Sequence, residues 1–189
     1  TFWKKKAFFS FFGSLILSLL VFVPGLGFSH GGAQRWINLG ITTFQPSELL
    51  KVAFIIYFSA WLSGFQRKIH TFSFSVVPFL SVMTILGSIL LFQNDNDVLV
   101  ILFALGFTML FIAGAKWKHL GTIVLVALLG LSVIVMMRPH VLSRIKTFID
   151  PSRDSLGASY QIEQSLIAIG SGGLFGKGFG LSMQKLQYL

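Results

Sequence analysis

Two carboxylates and a cation lie close together late in the sequence, and their types suit acid–base chemistry on an anionic substrate. The stretch 148–161 carries Asp150 and Asp154, with Arg153 between them. A general base needs a carboxylate that stays ionised near neutral pH and lies close to the proton it removes. Pro151 favours a turn-rich loop here. A solvated polar loop with surface ion pairs is the alternative interpretation, and composition alone leaves it open.

A second group of ionisable residues lies in the first third of the chain. Arg35 precedes Trp36, and Glu48 and Lys51 lie at the beginning of the apolar segment 46–64. Residues three apart share one face of a helix, so Glu48 and Lys51 can interact. Charged residues within a membrane span usually face a cavity or the bundle interior and mark function. An interfacial aromatic anchor beside a snorkelling ion pair is the structural alternative.

The composition indicates that membrane helices position these residues. Of the 189 residues, 54% are hydrophobic and only 11% are charged, which excludes a large soluble catalytic domain. A helical span needs about 20 residues. The apolar stretches predict five spans: Ala7–Val23, Pro46–Gly64, Phe74–Phe92, Val98–Ala115 and Leu120–Met137.

We therefore predict an all-α fold in which residues 1–137 form a polytopic bundle of about five transmembrane helices. Residues 138–189 are predicted to form a long extracytoplasmic loop that contains short amphipathic helices. Ile162, Leu166 and Ile169 recur at i, i+4 and i+7, which indicates one such helix, ended by glycine.

The basic residues alternate between connections and so predict the topology. Three precede the first span, and the next four connections hold one, two, none and two. By the positive-inside rule the N-terminus of the chain is cytoplasmic, and residues 138–189 face outward. All six acidic residues then lie on the outward side. Six basic residues in the outward tail are either tolerated there or bind an anion, such as a phospholipid or a lipid-linked pyrophosphate rather than nucleic acid.

Several kinds of site are excluded or remain open. The chain has no Cys, so thiolate metal sites, disulfides and thiol nucleophiles are absent. The glycine run 170–180 lacks the P-loop spacing, because Ser171 and Gly178 occupy the positions that require Gly and Ser or Thr. Two carboxylates in one loop are weak evidence for Mg²⁺ or Mn²⁺, so a divalent cation remains open as a cofactor.

Three blocks of the sequence resemble the SEDS family (shape, elongation, division and sporulation), which includes FtsW, RodA and SpoVE. The first block carries Ala-x-Arg-Trp-Ile and Gln-Pro-Ser-Glu-Leu-x-Lys within Gly32–Gly64, the second is Gln93–Gly114, and the third, most specific block is Arg144–Leu189. The third block is closer to the FtsW and SpoVE branch. The chain differs from the family at Gln93–Val98, where the family usually has Gln-Pro-Asp-x-Gly-Thr. We expect the chain to be a fragment that lacks part of the family's cavity.

The resemblance implies a peptidoglycan glycosyltransferase that polymerises lipid II at the outer face of the bacterial cytoplasmic membrane, in cell division. It implies Asp154 as the catalytic residue, with Asp150 as second choice. The substrate-binding residues that we predict, partly from the resemblance and partly from their charge or position, are Arg35, Glu48, Lys51, Arg153, Gln161 and Lys177.

The resemblance also implies partners: lipid II, a class B penicillin-binding protein and other divisome proteins. Two other functions fit the same residues. One is a lipid II flippase or transporter, in which the charges guide a headgroup. The other is a non-catalytic membrane scaffold for a cell-wall transpeptidase.

Overall fold

The chain folds mainly into helices, with a small sheet between the first two. The computed structural model describes residues 2–30, 33–40, 42–137, 160–178 and 180–181. The helices in these ranges are α1 (Phe2–Leu20), α2 (Pro46–Gly64), α3 (Phe72–Phe92), α4 (Asn96–Ile112), α5 (Trp117–Met137) and α6 (Tyr160–Gly172). The strands are β1 (Gly27–His30), β2 (Ala33–Asn38) and β3 (Thr43–Phe44). The chain divides into two compact units, Thr1–Leu125 and Val126–Leu189.

Each segment that was predicted as a span falls on one of the helices α1 to α5. Within the described residues, two helices are long and apolar enough to cross a membrane: α3, with a mean hydropathy of 2.2, and α5, with 2.4. Helix α4 is apolar but shorter, at 17 residues. Five membrane crossings and the layout of the outward loop therefore stay predictions.

The connection between α1 and α2 departs from the all-α prediction, because it forms a three-stranded antiparallel sheet in the order β1-β2-β3. The central strand pairs Ile37 with Gly27 on one side and with Phe44 on the other. Ala33 and Ile37 are buried and Gln34 is exposed, and between Gln34 and Trp36 the pairing with β1 is irregular, which leaves no residue of β1 opposite Arg35. The strands have four, six and two residues, too few for their alternation to be recognised between two long apolar segments.

Aromatic side chains from α2, α3 and α4 form much of the core of the first unit. The rings of Phe54 and Phe58 stack with centroids 5.4 Å apart, and Phe79 lies 5.8 Å from Phe58. Gly106 of α4 lies against these rings, since a Cβ there would be 2.5 Å from Cε2 of Phe79 and 3.0 Å from Cζ of Phe54. Helix α4 can approach α2 and α3 this closely because position 106 has no side chain.

The turn between α3 and α4 is a Schellman motif with Asn94 in the left-handed conformation, at φ +58°. The backbone N–H of Asp95 donates to the carbonyl of Leu90 at 2.8 Å, and that of Asn94 donates to Leu91 at 3.2 Å. Gln93 and Asp95 flank Asn94, and both are buried. Proline cannot adopt a positive φ, so this chain forms the turn differently from a Gln-Pro-Asp sequence.

The described part of the second unit includes the end of α5, helix α6 and a glycine-rich segment. Helix α6 ends at Gly172, and Gly173 follows it with φ +57°, which is typical of a helix C-terminus. Gly176, Gly178 and Gly180 also have positive φ. These glycines therefore serve as turn residues.

Candidate functional site

Arg35 lies in β2 where the pairing with β1 shifts register, because Trp36 pairs with Phe28 and Gln34 pairs with Ser29. Ala33 and Ile37, two residues away on either side, are 4% and 7% exposed. The Arg35 side chain retains a third of its accessible surface. Its guanidinium is therefore close to the buried interior while part of it stays accessible.

The partner of Arg35 is Asp95, which is 1% exposed. Nη1 of Arg35 lies 3.4 Å from Oδ1 of Asp95. The other carboxylate oxygen, Oδ2, accepts hydrogen bonds from Ser47 Oγ at 2.9 Å and from Gln45 Nε2 at 3.1 Å. Both oxygens of this buried carboxylate are thus bonded, as a buried charge requires. We call Arg35, Gln45, Ser47 and Asp95 the Asp95 cluster.

The position of the carboxylate against α2 also favours its charge. Ser47 is the second residue of α2, and the helix begins at Pro46, whose missing N–H would have no partner there. Gln45 precedes the helix without capping it through its side chain, and its amide instead donates to Ser47 Oγ and to Asp95. The carboxylate of Asp95 therefore lies at the positive end of the α2 dipole.

Gln93 anchors the same turn to α1. Its Nε2 donates a 2.7 Å hydrogen bond to the backbone carbonyl of Ser18, and its side chain is buried. Ser18 lies in the last turn of α1, where carbonyls lack helical partners. The turn between α3 and α4 thus bonds to α1 through Gln93 and to β2 and α2 through Asp95.

Glu48 and Lys51 form a second ion pair, with Nζ of Lys51 3.0 Å from Oε1 and 2.9 Å from Oε2 of Glu48. The predicted interaction across one helix face is therefore present. The Glu48 side chain is 57% exposed and that of Lys51 is 23% exposed. An exposed pair of this kind contributes little to stability. Its charges remain accessible to a ligand.

Arg35 is incompletely bonded within the part of the chain that the structure describes. Its Nε is buried and has no hydrogen-bond partner there. The only salt bridge of Arg35 in that part is the single contact to Asp95. An anion can reach the accessible third of the side chain, and a planar fork of N–H groups binds anions well.

The predicted site residues fall into three groups. Arg35, Glu48 and Lys51 belong to the first unit. Gln161 lies in α6 and exposed Lys177 lies in the glycine segment, both in the second unit. The predicted base Asp154, its alternative Asp150 and Arg153 lie outside the described residues, so their approach to Arg35 and Lys51 stays a prediction.

The roles of Asp95, Gln45 and Ser47 were not predicted from the sequence. Two signals were present: the chain retains Gln93 and Asp95 where it otherwise departs from the family's pattern, and an acidic residue there interrupts two apolar helices. Acidic residues in such a position tend to be paired in the interior. The pairing itself is non-local and cannot be derived from spacing.

The described residues hold no group of three or more His, Asp or Glu side chains that could bind a metal ion. Asp150 and Asp154, the candidate ligands of the predicted divalent cation, lie outside the residues that the structure describes. That part of the prediction stays untested.

The described part of the chain defines a class: a mostly helical protein with two helices long and apolar enough to cross a membrane and a buried, ion-paired polar cluster where β2, α2 and the turn between α3 and α4 meet. The family model described as "Cell cycle protein" (FTSW_RODA_SPOVE) matches residues 1–189. The chain therefore belongs to the FtsW/RodA/SpoVE family, and the resemblance is confirmed.

Relatives with curated names are similar over nearly the whole chain. A "Probable peptidoglycan glycosyltransferase FtsW" of Geobacter sp. (strain M18) is 42% identical over 187 residues, which is 99% of this chain and 51% of that protein. The "Stage V sporulation protein E" of Bacillus subtilis (strain 168) is 37% identical over 92% of this chain and 47% of that protein. The chain thus spans about half the length of the curated relatives that it matches.

One chain of a solved structure is also similar to this chain. The structure comes from a study described as "Structural coordination of polymerization and crosslinking by a peptidoglycan synthase complex", and that chain matches with a TM-score of 0.69 and 30% identity. The match covers 91% of this chain and 50% of that one. The fold is therefore similar to that of a chain in this structure.

Proposed function

We propose that this chain is part of a peptidoglycan glycosyltransferase that polymerises lipid II at the outer face of the bacterial cytoplasmic membrane during cell division. The observation that carries the proposal is Arg35, a partly accessible cation that is held by the buried Asp95. The names of the relatives supply the reaction.

The reaction requires two kinds of group. The 4-hydroxyl of an acceptor GlcNAc must lose a proton as its oxygen bonds to the donor's anomeric carbon, and the bond from that carbon to the pyrophosphate must break. A carboxylate can accept the proton. Cations can stabilise the charge that develops on the leaving pyrophosphate.

We assign the carboxylate to Asp154, because the resemblance maps the family's essential aspartate onto it. Arg35 and Lys51 are assigned to the pyrophosphate, with Arg153, Gln161 and Lys177 contributing from the segment after α5. Glu48 holds Lys51 near the beginning of α2. A divalent cation, Mg²⁺ or Mn²⁺, is a further candidate, because it would add charge stabilisation at the pyrophosphate.

Membrane topology and partners follow from the same proposal. The N-terminus of the chain is cytoplasmic and residues 138–189 are extracytoplasmic, as the distribution of basic residues predicts. A class B penicillin-binding protein cross-links the new strand. The similarity to a chain of a peptidoglycan synthase complex supports a partner of this kind. Other divisome proteins join the same assembly.

The test is polymerisation by the purified full-length protein with its transpeptidase partner, using lipid II on the accessible face. We expect glycan strands from the wild type and at least a hundredfold slower synthesis by Asp154→Asn, since general-base catalysis contributes roughly 10²–10⁴-fold. Asp150→Asn is the comparison variant: near-normal synthesis by it supports Asp154, and a loss confined to Asp150→Asn would support the second choice, Asp150, instead. Normal synthesis by Asp154→Asn would reject the assignment.

The same assay separates the enzyme from the two alternative functions. A flippase or a scaffold yields no glycan strands when lipid II is already on the accessible face. Failure of the wild type to polymerise under these conditions would therefore refute the proposed function itself rather than the choice of base.

A further inference from the structure

We propose that Asp95 is a positioning residue, which holds the guanidinium of Arg35 where it binds the pyrophosphate of a lipid-linked sugar. This inference rests on the proposed function, in which Arg35 binds that anion. It goes beyond that function because it assigns a role to Asp95, which does not itself contact the substrate.

The carboxylate of Asp95 is fixed from several directions. Its backbone N–H is bonded to Leu90 within the Schellman turn. Its Oδ2 accepts hydrogen bonds from Gln45 and Ser47, neither of which carries a charge. With its backbone and one oxygen held in this way, the carboxylate presents Oδ1 to Arg35 from a constant position.

The contact with Asp95 leaves Arg35 incompletely hydrogen-bonded. The 3.4 Å separation between Nη1 and Oδ1 exceeds the roughly 2.7–2.9 Å of a charge-assisted hydrogen bond. The buried Nε has no partner among the described residues. A buried donor left without a partner is unfavourable. An arriving phosphate oxygen would meet this oriented cation through the accessible third of the Arg35 side chain, since Nε itself is buried.

The second cation of the site is held differently. Ser47 and Lys51 lie four residues apart on α2 and share a face, so Lys51 lies about one turn from the Asp95 cluster. Its partner Glu48 is largely exposed, so Lys51 can exchange the Glu48 carboxylate for a ligand at low cost. Arg35 therefore contacts the pyrophosphate from a fixed position, whereas Lys51 exchanges its contact with Glu48 for one with the pyrophosphate.

The test measures binding of undecaprenyl pyrophosphate to the purified full-length protein in lipid nanodiscs. Asp95→Asn keeps the shape of the side chain and removes its charge. We expect this variant to bind about 10- to 100-fold more weakly, as for loss of a hydrogen bond to a charged group. In an Arg35→Ala background the same change should have no further effect, because Asp95 acts through Arg35.

Two results would overturn the proposal. Asp95→Asn could bind as tightly as the wild type, or its effect could add in full to that of Arg35→Ala. If Asp95→Asn does not fold, Gln45→Ala tests the same point, because it loosens the carboxylate without removing its charge. We expect severalfold weaker binding by Gln45→Ala, and unchanged binding would refute the proposal.

Ser75→Ala is the matched control for destabilisation. Ser75 is as buried as Asp95, and its Oγ donates to the carbonyl of Thr71 and lies 2.8 Å from Nδ1 of His119. It lies at the beginning of α3, about 20 residues before Asp95 and roughly 30 Å away along the helix. Ser75→Ala should lower the free energy of unfolding and leave the dissociation constant for undecaprenyl pyrophosphate unchanged. If Ser75→Ala weakened binding of undecaprenyl pyrophosphate as much as Asp95→Asn does, the role of Asp95 would be purely structural.

Kinetics distinguish failure of this inference from failure of the proposed function. In the polymerisation assay Asp95→Asn should raise KM for lipid II and lower kcat, because Arg35 binds the pyrophosphate and stabilises the charge that develops on it. If the wild type binds undecaprenyl pyrophosphate but forms no glycan, the function is wrong and the positioning role stands. If Arg35→Ala binds as tightly as the wild type, the positioning role of Asp95 is wrong whatever the reaction.

Discussion

Ser47 Oγ donates a 2.9 Å hydrogen bond to Oδ2 of Asp95, which joins the first turn of α2 to the turn between α3 and α4. Both side chains are almost wholly buried, at 2% and 1% exposure. If a buried carboxylate loses a hydrogen-bond donor, the free-energy cost of its desolvation remains and that hydrogen bond no longer offsets it. The bond therefore contributes to the stability of the first unit as well as to the site.

Replacement of Ser47 by alanine should lower the free energy of unfolding by about 1.5–3 kcal/mol, the usual range for a hydrogen bond to a charged group. Reversible unfolding in detergent measures the change. Ser88→Ala is the control, because the Ser88 hydroxyl is exposed and donates only to the carbonyl of Ile85 in its own helix. Its effect should stay within about 0.5 kcal/mol. Equal stability of Ser47→Ala and the wild type would contradict the role of this bond.

Introduction of a methyl group at Gly106 should destabilise the helix packing. The new Cβ of Gly106→Ala would overlap the buried rings of Phe79 and Phe54. Overpacking costs about 1–3 kcal/mol, against a gain in helix propensity of up to about 1 kcal/mol. Thermal unfolding should therefore show a net loss. Gly13→Ala, with open space around its Cβ, should be neutral or stabilising, and a similar loss there would show that packing is not the cause.

The conformation of Asn94 predicts opposite outcomes for two substitutions. Asn94→Gly should change stability by less than about 1 kcal/mol, because glycine adopts a positive φ freely. Asn94→Pro should cost about 3 kcal/mol or more, since proline fixes φ near −65° and removes the N–H that bonds to Leu91. Unfolding midpoints of the two variants provide the measurement. A proline variant as stable as the wild type would mean that the turn can take the form of the family's Gln-Pro-Asp pattern.

The two ion pairs of the site should respond differently to loss of charge. Glu48→Gln should change the free energy of unfolding by no more than about 1 kcal/mol, because the pair with Lys51 is exposed. Asp95→Asn should cost more, about 3–5 kcal/mol at the upper limit, because it leaves Arg35 without its buried partner. Parallel unfolding curves of these variants, with Glu48→Gln as the internal control, give the comparison. A larger loss for Glu48→Gln would reverse our ranking of the two pairs.

Helix positions were largely predictable because apolarity along a span is a local property. The predicted segment Pro46–Gly64 coincides with α2, and Phe74–Phe92 differs from α3 by two residues at its beginning. The connections between the spans lack this continuous apolar pattern. The six-residue strand β2 could not be recognised there, because its pairing with β1 and β3 depends on contacts between separate segments.

For the site, the sequence by itself determined the helix-local relationship. Glu48 and Lys51 lie three residues apart on α2, so their pairing follows from helical geometry. The family pattern likewise indicated Arg35 before any partner was visible.

Only the tertiary structure decided that the partner of Arg35 is Asp95, 60 residues further along the chain. That pairing requires a strand to place Arg35, the first turn of α2 to supply Ser47, and a left-handed Asn94 to direct Asp95 inward. Each of these conditions depends on packing between separate elements. A buried carboxylate is stable only where several such elements meet and satisfy both of its oxygens.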